Sequence, residues 1–162
     1  MKKKSARDLE FISLEDRTQP RLKFVGVDLE LLSGDRFIVR VELEQQPGVT
    51  HIGKVESKGS ELERIRSAAI ATVKSLRTAI GVDTKKLQFL DLNAIKVFDT
   101  PAIAISLAAH VDGDIQSLVG FCVVEEEFPA RASALAVLNS INRFLGAVNV
   151  QRGVFVWARA RK

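Results

Sequence analysis

The chain has 162 residues, of which 46% are hydrophobic and 27% charged, and its formal net charge at pH 7 is +4. This length suits one domain, and the apolar fraction argues against general disorder. The only cysteine, Cys122, excludes an internal disulfide framework and a cysteine-rich zinc site, and an unpaired thiol favours the reducing cytoplasm. No apolar run reaches the roughly 18 residues of a membrane-spanning helix, and the start MKKKSARDLEF lacks the apolar stretch of a secretory signal. We therefore expect a cytoplasmic protein that does not enter a membrane.

The basic residues are concentrated at the two ends of the chain. Residues 1–23 carry seven Lys or Arg against four acids, and residues 147–162 carry four basic residues and no acid. Residues 24–146 hold 13 basic and 16 acidic residues, so the body of the chain is slightly acidic. Short like-charged ends are typical of solvated tails. We therefore predict a basic tail at 1–21, one domain at 22–146, and a basic strand or arm at 147–162.

The first half of the domain predicts three strands followed by a helix. Runs of strand-like alternation cover residues 22–32, 36–44 and 49–57. Turn residues separate them at Ser33-Gly34-Asp35 and at Gln46-Pro47-Gly48. An apolar stripe at helical spacing then runs from Ser60 to Ile80. Ser60 and Glu63 have the spacing of a capping box, and Gly81 is a typical helix-ending glycine.

The second half of the domain predicts the same elements in the same order. Strand-like runs cover residues 87–98, 102–111 and 115–125, with turns at Thr100-Pro101 and Asp112-Gly113-Asp114. A helix is predicted from Pro129 to Leu145, and Gly146 follows it. The third run, SLVGFCVVEE, is apolar on both faces. Such a strand is either central in a layered structure or part of a subunit interface, which favours a homodimer.

The two halves of the domain match each other in sequence pattern. The segment AAIATVKSLRTAIG (68–81) aligns with SALAVLNSINRFLG (133–146) at an offset of 65. The identical pairs are Ala69/Ala134, Ala71/Ala136, Ser75/Ser140 and Gly81/Gly146. A repeat in both strands and helix predicts an α+β fold of two βββα units, 22–81 and 87–146. Their strands would form one antiparallel sheet or two apposed sheets covered by two long helices.

Several stretches of the second unit carry a resemblance to a known family. They are residues 92–99, AIAISLAAHVDGD (102–114), Val119-Gly120 and residues 132–143. These stretches resemble the C-terminal regulatory domain of the 2-isopropylmalate synthase and citramalate synthase family, and the first unit matches it in pattern over residues 22–81. The resemblance implies two βββα units, dimerisation and a small effector such as a branched-chain amino acid. Because the family's catalytic barrel is absent, it implies no chemistry of the chain's own.

The same resemblance implies where an effector would bind. Loops that follow the family's valine-glycine pair take part in effector binding, which makes Gly53, Gly59 and Gly120 the candidate ligand-binding residues here. The sequence departs from the family after Gly120, where FCVVEEEFP replaces a short polar loop. Gly59 is retained in SKGS without the family's glycine-proline entry.

Other chemistry-bearing residues fit structural roles better than functional sites. His51 and His110 are the only histidines and lack the spacing of a metal-binding motif. Asp112-Gly113-Asp114 lacks the later glutamate of a calcium loop and predicts a hairpin. The run Glu125-Glu126-Glu127 suits the start of the second helix better than acid-base catalysis, and Cys122 suits a buried, inert thiol. We therefore predict no metal site, no cofactor and no enzyme activity.

An RNA- or DNA-binding module acting through the basic ends is the alternative function. Double-stranded-RNA-binding domains also place a helix after three strands and contact phosphates from the start of that helix. In this sequence Glu61 and Glu63 open the first helix, and three glutamates precede the second. These carboxylates would repel a phosphate backbone. A second copy of the chain, a small effector or a protein partner is therefore favoured over nucleic acid.

Overall fold

The computed structural model describes residues 21–83, 85–111, 113–125, 128–145, 149–151 and 154–156. The first unit consists of β1 (Lys23–Leu31), β2 (Arg36–Gln46), β3 (Val49–Lys58) and α1 (Glu61–Ile80). The second unit consists of β4 (Leu87–Val97), β5 (Thr100–Val111), β6 (Asp114–Val123) and α2 (Pro129–Leu145). Two short strands follow, β7 (Asn149–Gln151) and β8 (Val154–Val156). The predicted α+β fold of two βββα units is confirmed.

The strands form two separate antiparallel sheets of three strands each. Sheet A has the order β1-β2-β3 and sheet B the order β4-β5-β6, so the middle strand of each unit is central. Of the arrangements open to the sequence, the strand pairing therefore gives two sheets rather than one. At the C-terminal end, β8 pairs with β7 in a hairpin of its own instead of extending sheet A or sheet B.

The two helices pack against each other and each contacts both sheets. Helix α1 packs on β2 and β3 and also contacts β4, while α2 packs on β5 and β6 and also contacts β1. Because α1 has neighbours on several sides, its buried positions extend well beyond one stripe and include the small residues Ser67, Ala68, Ala71 and Ser75. Buried residues of both units join one hydrophobic core.

A pair of equivalent ring contacts relates the two units. The guanidinium carbon of Arg66 lies 5.9 Å from the ring centre of Phe89, and that of Arg131 lies 5.8 Å from the ring centre of Phe24. Each residue of one pair is 65 positions from its counterpart in the other, and the helix and strand always come from different units. Each helix thus stacks an arginine on the first strand of the other unit, which an approximate twofold between the units would produce.

A second pair of contacts repeats this exchange with hydrogen bonds. Arg77 of α1 donates from Nε to the main-chain oxygen of Leu87 at 2.7 Å. Its counterpart in α2, Asn142, donates from Nδ2 to the main-chain oxygen of Leu22 at 3.1 Å. Both acceptors lie at or next to the start of a first strand. Each helix is therefore hydrogen-bonded to the beginning of the other unit.

The predicted capping box of α1 does not form, although the helix begins where the sequence indicates. Ser60 is the N-cap residue, but its side chain makes no capping hydrogen bond. Its main-chain oxygen accepts from the amides of Glu63 at 3.1 Å and Arg64 at 3.2 Å. The carboxylate of Glu63 is directed along the helix instead and lies 4.0 Å from Nε of Arg66.

The β4–β5 turn lies two residues earlier than the sequence indicates. Val97 pairs with Thr100, so the turn residues are Phe98 and Asp99, and Pro101 belongs to β5. Phe98 and Asp99 have φ angles of 47° and 64°, as a tight hairpin of right-handed twist requires. Phe98 is 97% exposed, so a bulky aromatic residue occupies a left-handed conformation without any burial to compensate.

Candidate functional site

The candidate ligand residues Gly53 and Gly120 lie at equivalent buried positions beneath the helices. A Cβ atom at Gly53 would stand 1.8 Å from the main-chain oxygen of Ala71, and one at Gly120 would stand 2.1 Å from that of Ala136. Only glycine permits so close an approach of strand and helix. The two glycines therefore have a packing role, and they lie in different sheets.

Gly59 lies in the turn between β3 and α1, apart from the other two glycines. Its φ angle is +122°, and its amide donates to the main-chain oxygen of Asp35 at 3.1 Å. The turn conformation accounts for a glycine here. A ligand-binding role of Gly53, Gly59 and Gly120 stays a prediction.

The histidines do not meet at a common site. Nε2 of His51 lies 3.1 Å from Oε1 of Gln45, and the main-chain oxygen of His51 accepts from Ser75 Oγ at 2.6 Å. His110 lies in the other sheet, near the end of β5. Over the residues that the structure describes, no three His, Cys, Asp or Glu side chains come together as metal ligands would. Asp112, Glu126 and Glu127 lie outside those residues.

Cys122 lies on β6 with its side chain partly buried. Burial raises the pKa of this thiol, the charge of Glu125 raises it further, and Arg131 opposes the shift. Because the thiolate is the reactive form of cysteine, these surroundings make Cys122 a poor nucleophile at neutral pH.

The most distinctive surface of the described chain is the outer face of sheet B, called the apolar face below. It is defined by apolar and small residues, Ile95 of β4, Ala102, Ala104, Ser106 and Ala108 of β5, and Ile115, Val119, Phe121 and Val123 of β6, and the same pairing places the uncharged polar residues Asn93, His110 and Ser117 on it. The alternate residues of β5, such as Ile105, face the helices and are buried, and on the outer face the small side chains of Ala102 and Ala108 are also buried, at 1% and 4% exposure. Ile115, Val119 and Phe121 are 68%, 63% and 54% exposed.

This exposure corrects one of the two readings of the third strand of the second unit. Strand β6 lies at an edge of sheet B and not in the middle of a layered structure. Its inner residues, such as Gly120, lie under α2, while Ile115, Val119 and Phe121 of its outer face are each more than half exposed. The remaining reading, a strand in a subunit interface, stays a prediction.

Sheet A carries charged residues at the same positions. Val41 of the central strand pairs with Val27 and Gly53, and Ile105 pairs in the same way with Leu92 and Gly120. Matching these two rows of paired residues gives the equivalent positions of the two sheets. By this alignment four charged residues of sheet A have uncharged counterparts: Asp28/Asn93, Glu30/Ile95, Arg40/Ala104 and Glu56/Val123. The outer faces of the two copies are therefore opposite in character, although their folds are alike.

The charges on sheet A are paired with one another. Arg40 donates to Asp28 at 3.2 Å and to Glu30 at 2.7 Å. Arg36 donates to Glu56, and this hydrogen bond lowers the pKa of the Glu56 carboxyl. Paired exposed charges of this kind keep a sheet face solvated. Sheet B lacks this network.

A cleft of about 410 Å³ borders β6 and the last turns of α2. It is lined by Arg21, Phe121, Asn139, Asn142 and Arg143. Among the described residues that line it, two side chains are cationic, two are amides, one is an aromatic ring, and none is acidic. The sequence reasoning missed it because Arg21 and Arg143 come from opposite ends of the domain, and no local spacing connects them.

The main-chain groups around the cleft orient its polar side chains. Arg143 donates from Nη2 to the main-chain oxygen of Val119 at 2.8 Å and from Nε to that of Asn139 at 3.4 Å. Asn142 is oriented by its bond to Leu22, and its Oδ1 is buried and accepts no hydrogen bond.

Comparison with known proteins finds no matching model of a protein family and no matching curated protein. The resemblance to the regulatory domain of 2-isopropylmalate synthases therefore stays a prediction. In the part of the chain that the structure describes, neither helix has both the length and the apolar character to cross a membrane.

Proposed function

We propose that this chain is a non-catalytic regulatory module that forms a homodimer through the apolar face of sheet B and responds to a small effector. The observation that carries the proposal is the apolar face itself. Exposed, contiguous apolar surface rimmed by polar residues is typical of protein interaction sites. The sequence resemblance to a dimerising regulatory domain supports the same function.

The chemistry of the apolar face favours a second copy of the chain as its partner. A twofold axis would bring the face onto itself, so any charge near its centre would meet a like charge. The described residues of β5 and β6 that form the face include no Lys, Arg, Asp or Glu. Burying the β5 and β6 part of this face against its own copy therefore buries no charge, and Asp91 of β4, in the row of Ser106, is paired with Arg66 at 3.4 Å. An unpaired buried charge is the main cost in such an interface.

The shape of the apolar face also suits self-association. Its central strand offers the small, partly exposed side chains of Ala104 and Ser106, whereas β6 beside it offers a row of large ones that includes Val119 and Phe121. The large row of one copy can pack over the small row of the other. Three strands at about 4.8 Å spacing and nine residues at about 3.3 Å each give a footprint of roughly 400 Å² per copy. This area is below that of standard specific interfaces, about 800 Å² per partner, and predicts weak, reversible association.

The test is the mass of the full chain in solution, measured over a range of micromolar concentrations. We expect wild type to be a dimer at the upper concentrations and Val119→Lys to be a monomer, because a twofold places the two new charges close together. The matched control is Ile52→Lys, which puts the same charge at the equivalent position of sheet A, where Ile52 is 60% exposed. A monomeric wild type, or equal loss of dimer in both variants, would refute the proposal.

The alternative of nucleic-acid binding depends on the basic ends of the chain, residues 1–23 and 147–162, of which the structure describes only 21–23, 149–151 and 154–156. On the outer face of sheet A the cations are interleaved with acids, as in the pairs of Arg40 with Asp28 and Glu30. A face of mixed sign does not attract a phosphate backbone. If removal of Lys2–Lys4 and Arg159–Lys162 abolished nucleic-acid binding by a monomeric protein, the alternative would replace the proposal.

A further inference from the structure

We infer that residues 8–16 of the N-terminal tail add a fourth strand to sheet B by pairing with the edge of β6 in the same chain. The pairing uses main-chain groups at this edge and leaves the side chains of the apolar face free. It is therefore independent of the proposed function. Three features support it: an unprotected strand edge, cations beside that edge, and an acidic segment of matching length.

Strand β6 is the least protected of the four edge strands of sheets A and B. Register shifts interrupt the pairing of β1 with β2 and of β4 with β5, and three of the ten residues of β3 are charged. The pairing of β6 with β5 is regular over ten residue pairs, and Asp114 at its start is its only charged residue. Bulges and charges keep a strand edge from pairing with further strands. The edge of β6 is therefore open to another strand.

Every second residue of β6 directs its main-chain groups to this edge. Val124 continues the ladder by donating to the main-chain oxygen of Pro101 at 2.8 Å. Hydrogen-bonded rows alternate with non-bonded rows in an antiparallel pair. The residues whose N–H and C=O groups point away from β5 are therefore Ile115, Ser117, Val119, Phe121 and Val123. The bond from Arg143 of α2 to the oxygen of Val119 at 2.8 Å agrees with this direction.

The side of α2 that borders this edge is cationic. Its exposed or partly exposed residues recur every four positions, at Arg131, Leu135, Asn139 and Arg143. Among the described residues, the two depressions along the edge are lined by three cations, Arg21, Arg131 and Arg143, and by one acid, Glu125. No ion pair between described residues includes any of these arginines. Their charges favour an acidic strand.

Residues 8–16, DLEFISLED, have the length and the charge that this edge requires. They contain four acids, four apolar residues and no basic residue, although the tail as a whole is basic. Their nine residues equal the span of residues 115–123. Residues 17–20 connect them to Arg21, and four extended residues reach about 13 Å. Since Arg21 lines the cleft beside β6, the chain enters the domain at the edge that the segment would cover.

The same charges argue against a second copy of β6 as the added strand. A twofold between two β6 strands would bring the arginines beside one edge towards those beside the other, and like charges repel. The acids of residues 8–16 can pair with these arginines instead, and Arg143 can exchange its bond to Val119 for a carboxylate. The covered edge would also protect sheet B from open-ended association with other chains.

Hydrogen exchange of individual amides tests the inference on the full chain. We expect the outward amides of Ser117 and Phe121 to exchange at least about tenfold more slowly in wild type than in an unstructured chain. The double variant Ile12→Pro with Ser13→Pro should abolish this protection, because one of two adjacent strand residues must donate to the ladder and proline cannot. The matched control, Ser5→Pro with Ala6→Pro, makes the same change in the basic start of the tail and should leave the protection unchanged.

The amides of Leu118 and Gly120, which pair with β5, should stay protected in every sample and report that sheet B is intact. Three results would overturn the inference: unprotected outward amides in wild type, equal protection in both double variants, or protection that rises with protein concentration. The last result would identify a second copy as the added strand. Pairing within one chain does not depend on concentration, so a protected wild type that is monomeric throughout refutes the proposed dimer alone.

Discussion

The main-chain oxygen of Ala71 occupies the space that a side chain at Gly53 would need, since a Cβ atom there would stand only 1.8 Å away. The equivalent relation holds between Gly120 and Ala136, at 2.1 Å. In both units the helix therefore rests directly on the backbone of the third strand. The height of each helix above its sheet depends on these glycines.

Replacing Gly53 by alanine should destabilise the protein strongly. The new methyl group would meet backbone atoms, which cannot move aside like the end of a flexible side chain, so α1 would have to lift from β3. Overpacking of this kind costs about 3 kcal/mol. We expect the free energy of unfolding, measured with urea, to fall by about that amount in Gly53→Ala and likewise in Gly120→Ala.

The matched control is Gly26→Ala on β1. No atom lies within 4 Å of a Cβ built at Gly26. Alanine also has less backbone freedom to lose on folding. We expect Gly26→Ala to keep or slightly raise the free energy of unfolding; a loss like that of Gly53→Ala would contradict the packing role.

Replacing Phe98 by asparagine should stabilise the protein. Phe98 has a φ angle of 47° and is 97% exposed, so it bears the steric cost of the left-handed conformation and loses almost no burial when removed. Asparagine adopts this conformation more readily and suits the turn. We expect the free energy of unfolding to rise by about 1 kcal/mol in urea titrations. Phe98→Ala lacks the polar side chain that lets asparagine hydrogen-bond locally in this conformation, so it should bring no such gain. Equal stability of the two variants would refute the strain argument.

Copying the charges of sheet A onto sheet B should yield a folded monomer. The double variant Asn93→Asp with Ala104→Arg reproduces the pair that Asp28 and Arg40 form at the same positions of sheet A. The fold tolerates this pair in the first unit, so the circular dichroism spectrum should stay that of wild type. The mass in solution should fall to that of one chain, because the interface would now bury charge. A folded variant that still dimerises would show that the apolar face is not the interface.

Cys122 should react slowly with iodoacetamide in the folded protein. Burial, followed by the charge of Glu125, raises the pKa of its thiol in the folded state. Between the unfolded and folded pKa values the unfolded chain holds fewer protons, so rising pH destabilises the folded state through this group above the ordinary thiol pKa. We expect alkylation at pH 8 to accelerate on unfolding in urea. Glu125→Gln should quicken alkylation of the folded protein; no response to either change would contradict the assigned surroundings.

The repeat let the sequence predict most of the architecture. Apolar periodicity and helix-ending residues predict the bounds of α1 and α2 to within one residue. They can do so because helix formation depends on residues a few positions apart in sequence. Matching segments at an offset of 65 indicate two equivalent units. The position of the β4–β5 turn was predicted wrongly. Pro101 suggests a turn, but the pairing of β4 with β5 includes Pro101, and the turn residues are Phe98 and Asp99.

The candidate sites depended on tertiary structure. The sequence singles out Gly53 and Gly120, but only the packing of α1 and α2 reveals that helix backbone fills the space beside them. It also shows that SLVGFCVVEE is apolar, but only the sheet order makes β6 an edge strand with one exposed face. The cleft brings together Arg21 and Arg143, which lie near opposite ends of the domain in sequence. Secondary structure follows from interactions between near neighbours in sequence, whereas a surface or a cleft is formed by residues that only the packing of the two units brings together.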